Sequence, residues 1–302
     1  MGFHAEDLKF QVIYPDEKIL AEVIKTGKDH TPAKVKSVMG DLIFPAPPDG
    51  RPYLYGCMVL SFDGKMGFYD NPEGTLISKN NTFDEKGAKI DFWIMNVCRC
   101  YADAVIMGTG TLRARMDKLW YASIADPDLI DARRELGRRG KEPLTVIASE
   151  DGTDIPFEHA VFTMDPPPVI ITSKEGARFI KDRMSRECRI VEGQEDLFRE
   201  SSDIRILVSG EKTADTQGLL GLLRQCGLSY ISVEAPGYIW HLIREGYLDE
   251  YMLDYSGVMA GGNVAPGTQL PFSFASHPHA QLLHIGYTKG FIFTRQKLIY
   301  DH

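Results

Sequence analysis

Tyr230-Ile231-Ser232-Val233-Glu234-Ala235-Pro236-Gly237 is the stretch that decides the fold. It starts as a short strand rich in aromatic and β-branched residues and breaks at a Pro-Gly pair. Tyr238 to Glu245 follows with the apolar spacing of a helix and stops at Gly246. Upstream, Thr216 to Cys226 has an amphipathic helical pattern and ends at Gly227; downstream, Leu248 to Tyr255 is a strand. Helix, strand, helix, strand, each punctuated by glycine, implies an α/β protein with a largely parallel sheet.

The same punctuation extends outward. Tyr53 to Ser61 is apolar on both faces, as in a central strand, and stops at the turn pair Asp63-Gly64. Ile90 to Ala102 has a helical period, and Asp103 to Met107 is a short buried strand ending at Gly108. Residues 111–140 read as helix plus loop, with Leu129 to Leu136 the helix. Further strands are expected at Pro143 to Ser149, Ala160 to Met164, Val169 to Thr172, Arg189 to Val191 and Ile206 to Val208. Gly176 to Met184 is a helix. Gln281 to Tyr287 and Phe291 to Ile299 form a hairpin turning at Lys289-Gly290, which adds antiparallel strands at one end. Residues 1–50 read as an N-terminal extension with short amphipathic pieces, closed by Pro45-Ala46-Pro47-Pro48-Asp49-Gly50; residues 51–302 read as one domain.

Composition narrows the function. The chain has 302 residues, 34 Lys and Arg against 42 Asp and Glu, and a formal net charge of −8. With 43% hydrophobic and 25% charged residues it is an ordinary globular mixture, not a disordered chain or a disulfide miniprotein. Binding nucleic acid through bulk charge is excluded, because a polyanion needs a basic face. A small anionic ligand is not excluded, but the few cations would have to gather locally. No run of about 18 apolar residues announces a membrane span. The N-terminus mixes charge early, so no signal peptide and a cytoplasmic location are expected. The five cysteines include no Cys-x-x-Cys, and neither Cys98-Arg99-Cys100 nor His277-Pro278-His279 has metal-ligand spacing, so no metal is expected.

Most nucleotide motifs fail. Gly108-Thr109-Gly110-Thr111-Leu112-Arg113 follows a strand as a dinucleotide turn does, but Arg113 replaces the third glycine. There is no Walker A sequence and no His-Glu-x-x-His, and His4-Ala5-Glu6 lacks the Pro-Cys-x-x-Cys of a deaminase. Two features survive. Ser61-Phe62-Asp63-Gly64-Lys65 sits at the end of a buried strand, where a carboxylate can face a heterocycle. Glu234-Ala235-Pro236-Gly237 is a strand-to-helix junction whose free N–H groups suit a diphosphate. Each also reads as a plain turn or connection. With the Gly108 turn, however, three strand-end loops point to one rim, the edge where open α/β sheets bind ligands.

These segments, in this order, resemble the reductase domain of riboflavin biosynthesis, the C-terminal half of the bifunctional deaminase–reductase and a relative of dihydrofolate reductase. Arg51-Pro52-Tyr53 through Ser61-Phe62-Asp63-Gly64-Lys65 is similar to that family's Arg-Pro, strand, Ser-x-Asp-Gly-Lys. Asp103-Ala104-Val105 through Arg113 is similar to its Asp-Ala-Val-x-x-Gly-x-x-Thr-x-Arg. Val233-Glu234 with Pro236-Gly237, then Gly246 to Glu250, resembles its Glu-Gly-Gly helix and Leu-Val-Asp-Glu, and Gly261-Gly262 falls at its Gly-Gly turn. The likeness runs over roughly residues 51 to 300.

The resemblance implies a dihydrofolate reductase-like sheet with helices on both faces, a homodimer, and NADPH held by Gly108, Thr109, Thr111, Ala235, Pro236 and Gly237. It implies a phosphoribosylamino-pyrimidine whose opened ribose accepts hydride, with Asp63 and Glu234 as catalytic candidates and Ser61, Lys65, Arg113 and Arg115 toward the substrate. Either carboxylate can serve by proton donation or hydrogen bonding. Two departures stand out: Glu-Gly-Gly has become Glu234-Ala235-Pro236, and Arg115-Met116-Asp117-Lys118 replaces an acidic stretch beside the pocket. They keep two other readings in view. One is a non-catalytic nucleotide-binding or stress-related protein on this fold; the other is a dihydrofolate or pterin reductase.

Overall fold

The computed structural model describes residues 2–15 and 17–300, with backbone alone at residues 13–15 and 19. Its strands are β1 Gln11–Pro15, β2 Tyr53–Ser61, β3 Ala104–Gly108, β4 Leu144–Ala148, β5 Val169–Thr172 and β6 Cys188–Ile190. β7 Ile204–Val208, β8 Tyr230–Val233, β9 Glu250–Ser256, β10 His279–Tyr287 and β11 Phe291–Ile299 complete the set. They form a single sheet in the order β1-β10-β11-β9-β2-β8-β3-β4-β5-β7-β6. From β9 to β6 all neighbours run parallel, whereas β1, β10 and β11 are antiparallel. The mostly parallel sheet with a closing hairpin is therefore as expected.

Burial explains the apolar runs. In β3, Val105 and Met107 enter one core layer, while Ala104 and Ile106 enter the other. In β2, Tyr53 and Tyr55 face the first layer and Leu54 and Leu60 the second. The helix Glu85–Tyr101 covers the first face with Trp93, Ile94 and Val97. Helices Thr216–Gln225 and Pro236–Arg244 cover the other with Leu219, Leu223, Ile239 and Leu242. Among the described residues, no helix is long and apolar enough to cross a membrane.

Two elements differ from the sequence reading. The helix expected from Ile90 begins at Glu85, because Asp84 caps it: Oδ1 accepts from the Gly87 amide at 3.0 Å and Oδ2 from the Gly290 amide at 2.8 Å. The strand expected at Ala160 to Met164 is a short 3₁₀ turn, Ala160–Thr163, capped by the His159 ring, which accepts from the Val161 amide at 3.1 Å. Its apolar content still goes into the core through Val161 and Phe162. Pro166, Pro167 and Pro168 lack the N–H groups a ladder needs, so pairing resumes only at Val169.

The described part of the first 50 residues packs on the chain's own sheet. β1 pairs with β10, Phe44 stacks on Tyr55 with ring centroids 4.3 Å apart, and the Leu42 carbonyl accepts the Tyr101 hydroxyl at 2.8 Å.

Candidate functional site at the carboxyl rim

Because β9, β2, β8, β3 and β4 are consecutive and parallel, the loops that follow them emerge side by side along one edge. The loops after β3 and β8 touch. A Cβ placed on Gly108 would stand 3.1 Å from the Ala235 Cβ, so glycine is what lets the two backbones approach. Ala235 is the N-cap of Pro236–Arg244 and offers no side-chain oxygen. No side chain caps that first turn, and a Cβ on Gly237 would meet open space. Pro236 takes the first helical position, where its missing N–H costs least. Gly108, Ala235, Pro236 and Gly237 thus form a side-chain-free cradle with helix amides at its wall, suited to an anionic ligand.

Thr109 and Thr111 lie beside it. Thr109 is buried and its hydroxyl donates to Asp154 in the loop after β4; Ser149 donates to the same carboxylate. Arg113, half-exposed, donates to the Asp154 carbonyl. Asp154 therefore ties the β4 loop to the β3 loop. Thr111 is half-buried, with no side-chain partner among the described residues.

Glu234 continues the β8 line, its amide donating to the Ile106 carbonyl at 2.9 Å. Its carboxylate is gripped by Arg99, with Nε at 2.8 Å and Nη2 at 2.6 Å, and both side chains are buried. Arg99 also donates to the Ser123 carbonyl at 2.7 Å. Burial pulls the Arg99 pKa down, but Glu234 outweighs it and holds the guanidinium above its ordinary range. Glu234 thus spends both carboxylate oxygens on a bidentate ion pair.

Asp63 turns away toward the loop after β9. It accepts from the Ser61 hydroxyl at 2.6 Å and from the amides of Ala260 at 3.0 Å and Gly261 at 2.7 Å. Ser61 first, then the two amides, hold its pKa down at about 2. Its donors favour the charged carboxylate, a form suited to accepting hydrogen bonds. Ser61 is fully buried, and its hydroxyl also accepts the Lys65 amide at 2.8 Å, so its hydrogen bonds close the turn rather than face a substrate. Lys65 is half-buried at the same turn, with its ammonium in no ion pair among the described residues.

Arg115, expected to reach a substrate, is buried instead. It donates to Glu73, and to the Thr75 hydroxyl at 2.7 Å, while its guanidinium lies 4.0 Å from the Trp120 ring centroid. The Arg99 guanidinium lies 5.5 Å from the same ring. Trp120 therefore joins two Arg–Glu pairs across the pocket loop. Lys79 is close enough that burial and Arg115 lower its pKa.

The expected residues thus fall into three groups. Gly108, Thr109, Ala235, Pro236, Gly237 and Glu234 meet at one place; Ser61, Asp63 and Lys65 share a turn; Arg113 and Arg115 are tied to Asp154 and Glu73. Arg99, Glu73 and Asp154 were not read from sequence. Arg99 had a signal, since a charge among Val97, Cys98, Cys100 and Tyr101 needs a buried partner. Glu73 and Asp154 sit in polar loops and had none. Among the described residues, no group of three or more His, Cys, Asp or Glu side chains could hold a metal ion.

Comparison with known proteins bears on the family and the fold. The RibD C-terminal domain family matches residues 52–285. No curated protein matches the chain. Among solved structures, RibD of Acinetobacter baumannii is similar with a TM-score of 0.54 and 17% identity, over 84% of this chain and 59% of that one. A pyrimidine reductase-like protein of Corynebacterium diphtheriae is similar at 0.56 and 17%, over 83% and 93%. The deaminase/5-amino-6-(5-phosphoribosylamino)uracil reductase of Thermotoga maritima is similar at 0.54 and 14%, over 82% and 56%. At these identities the likeness is one of fold. The chain spans under two thirds of the length of the Acinetobacter and Thermotoga proteins.

Proposed function

The chain belongs to the RibD C-terminal domain family, and from that premise we propose that it is an NADPH-dependent reductase of a 5-amino-6-(5-phosphoribosylamino)uracil-type pyrimidine in riboflavin biosynthesis. The observation that carries the proposal is the cradle where the β3 and β8 loops touch. Its fit to a dinucleotide rests on this chain's own residues: Gly108 lets the two loops come together, and the first turn at Gly237 is uncapped and faces open space. Gly108, Thr109, Thr111, Ala235, Pro236 and Gly237 would hold the cofactor, largely through backbone, and half-exposed Arg113 stands at the edge for a phosphate. When bound, reduced nicotinamide supplies a hydride to an electrophilic carbon, here that of the opened ribose.

The chain's remaining task is to align and enclose. The Glu234–Arg99 pair fixes the floor between the cradle and the Glu85–Tyr101 helix. Trp120, braced by Arg99 and Arg115, gives a flat apolar wall for a pyrimidine. The uncapped helix amides, with half-exposed Arg113 in the neighbouring loop, would supply positive potential locally in a chain with net charge −8.

One observation favours a second reading, a nucleotide-binding protein without turnover. Neither Asp63, which is ionised, nor Glu234, which is clamped by Arg99, is set up to give a proton. NADPH oxidation measured with the pyrimidine and, separately, with dihydrofolate decides among the three. Turnover with the pyrimidine is expected. Tight NADPH binding without oxidation by either selects the second reading, and oxidation with dihydrofolate alone selects a pterin reductase.

A further inference from the structure

Among the described residues, seven buried side-chain nitrogen or oxygen atoms have no hydrogen-bond partner. Three of the seven, Asp254 Oδ1, His284 Nε2 and Arg295 Nη1, belong to residues that line one cavity. The strand register explains the gathering. Across β9 and β11, Asp254 faces Phe293 and Met252 faces Arg295; across β10 and β11, His284 faces Arg295. Alternate residues of a strand share a face, so the three polar side chains lie on one side of the sheet, the side that Glu85–Tyr101 covers. They are 3%, 9% and 2% exposed, so bulk water does not reach them.

Their neighbours have nothing left to offer them. Arg295 gives Nε and Nη2 to Glu250, at 2.6 and 2.9 Å, and Nη2 also to the Ile43 carbonyl at 2.8 Å. That leaves the two N–H groups of Nη1. Thr294 lines the same cavity, but its hydroxyl donates to the Leu253 carbonyl at 2.5 Å. Asp254 is the diagonal neighbour of Arg295, a separation of roughly 7–8 Å between strands. Burial, then Arg295, hold the His284 ring neutral, with its pKa down at about 4, so one ring nitrogen carries a hydrogen and the other a lone pair.

Buried polar atoms left unpaired are costly, and the common remedy is an internal water. The cavity has a volume of about 10 Å³, room for one water and nothing larger. A water both gives and takes hydrogen bonds. It can accept from Arg295 Nη1 and satisfy Asp254 Oδ1 and His284 Nε2 in either protonation state of the carboxyl and either tautomer of the ring. Three partners is the usual complement of a buried water.

The roof of the cavity comes from the N-terminal segment. Phe10 and Met39 line it from that side, and Ile94 from the Glu85–Tyr101 helix. The Phe10 ring stands edge-on to His284, with centroids 6.2 Å apart, and lies 5.1 Å from the Phe293 ring. Gly286 on β10 makes room for it: a Cβ there would stand 2.1 Å from the Phe10 ring.

We propose that this cavity binds one structural water, held by Asp254, His284 and Arg295, and that Phe10 and Met39 of the N-terminal segment seal it. The water joins β9, β10 and β11 through their side chains. The segment before residue 51 thereby gains a task, closing the polar part of the core, and this holds whether or not the chain is a reductase.

A high-resolution crystal structure of the full chain is expected to show one density peak within about 2.7–3.2 Å of all three atoms. No peak there, or Arg295 Nη1 bonded directly to Asp254 or His284, overturns the water site. Oxygen-17 relaxation dispersion counts long-lived internal waters in solution. Phe10→Ala is expected to have one fewer than wild type, and Phe10→Leu, which keeps an apolar cover, the same number. An unchanged count in Phe10→Ala overturns the sealing role. Should Phe10→Ala fail to fold, Gly286→Ala, whose methyl displaces the Phe10 ring, takes its place in the comparison and is read the same way.

Discussion

Two sets of carboxyls sit within a few residues of one rim and meet opposite fates. On the rim, Asp63 and Glu234 are saturated: one takes a hydroxyl and two amides, the other a whole guanidinium. On β9 and the Glu85–Tyr101 helix, Asp254 has an oxygen left unpartnered, and burial raises its pKa and that of Asp91. The first pair is satisfied by donors; the second is short of them, and burial favours its neutral forms. Position at a strand end settles access to a ligand, but the count of available donors settles charge, and charge settles what a carboxyl can do.

The comparison breaks first at the Arg99–Glu234 pair. If that pair is the fixed floor of the site, Arg99→Ala leaves a buried carboxylate without its partner and costs about 3–5 kcal/mol of stability in urea unfolding. A loss under about 1 kcal/mol would make the pair incidental.

A second test sharpens the second set. The Asp91 pKa is raised in the folded chain, from its ordinary 3.8 to about 6. Between those values the folded state binds more protons than the unfolded one, so the contribution is full below pH 3.8 and is lost as pH rises through about 6. Asp91→Asn is therefore expected to exceed wild type in stability by about 3 kcal/mol at pH 8, with the gap closing near pH 4. Urea unfolding at the two pH values checks this, and equal gaps at both contradict it.

The smallest effect belongs to Asp63. Its pKa is lowered, so its contribution is present above the unfolded value of 3.8 and fades as pH falls through about 2. The group is exposed, and Asp63→Asn should leave global stability nearly unchanged. The amides of Ala260 and Gly261 should exchange hydrogen faster in the variant, while its pH–rate profile keeps the wild-type shape. A profile that loses a limb would return Asp63 to acid chemistry.

These contrasts also show what the sequence could carry. β2, β3 and β8 were legible because each is an uninterrupted apolar run, buried on both faces and stopped by Asp-Gly, Gly or Pro-Gly. Residues 160–164 misled because an apolar run shows burial, not conformation; Val161 and Phe162 are buried, but in a 3₁₀ turn capped by His159. The approach of the β3 and β8 loops was legible because glycine and proline mark backbone geometry directly, and Gly108 does lie against Ala235. Side-chain partnerships were not. Glu73 lies 42 residues from Arg115 and Glu234 lies 135 from Arg99, separations at which no spacing rule operates. In the sequence Asp254 lies in the strand Leu248 to Tyr255 and Asp91 in the helical stretch Ile90 to Ala102, with nothing to relate them. Only the packing of that helix on β9 brings them to one side of the sheet.

The central claim is that the β3 and β8 loops form a dinucleotide cradle. It is tested most directly by thermal unfolding with NADPH, NADH and FAD, on wild type and on Gly108→Val. At about a hundredfold over its Kd, NADPH should add about 2.7 kcal/mol, a rise of several degrees in Tm. NADH and FAD at the same concentration should add less, and Gly108→Val, whose side chain meets Ala235 and pushes the two loops apart, should abolish the shift. A wild-type Tm indifferent to all three, or an undiminished NADPH shift in Gly108→Val, would contradict the account.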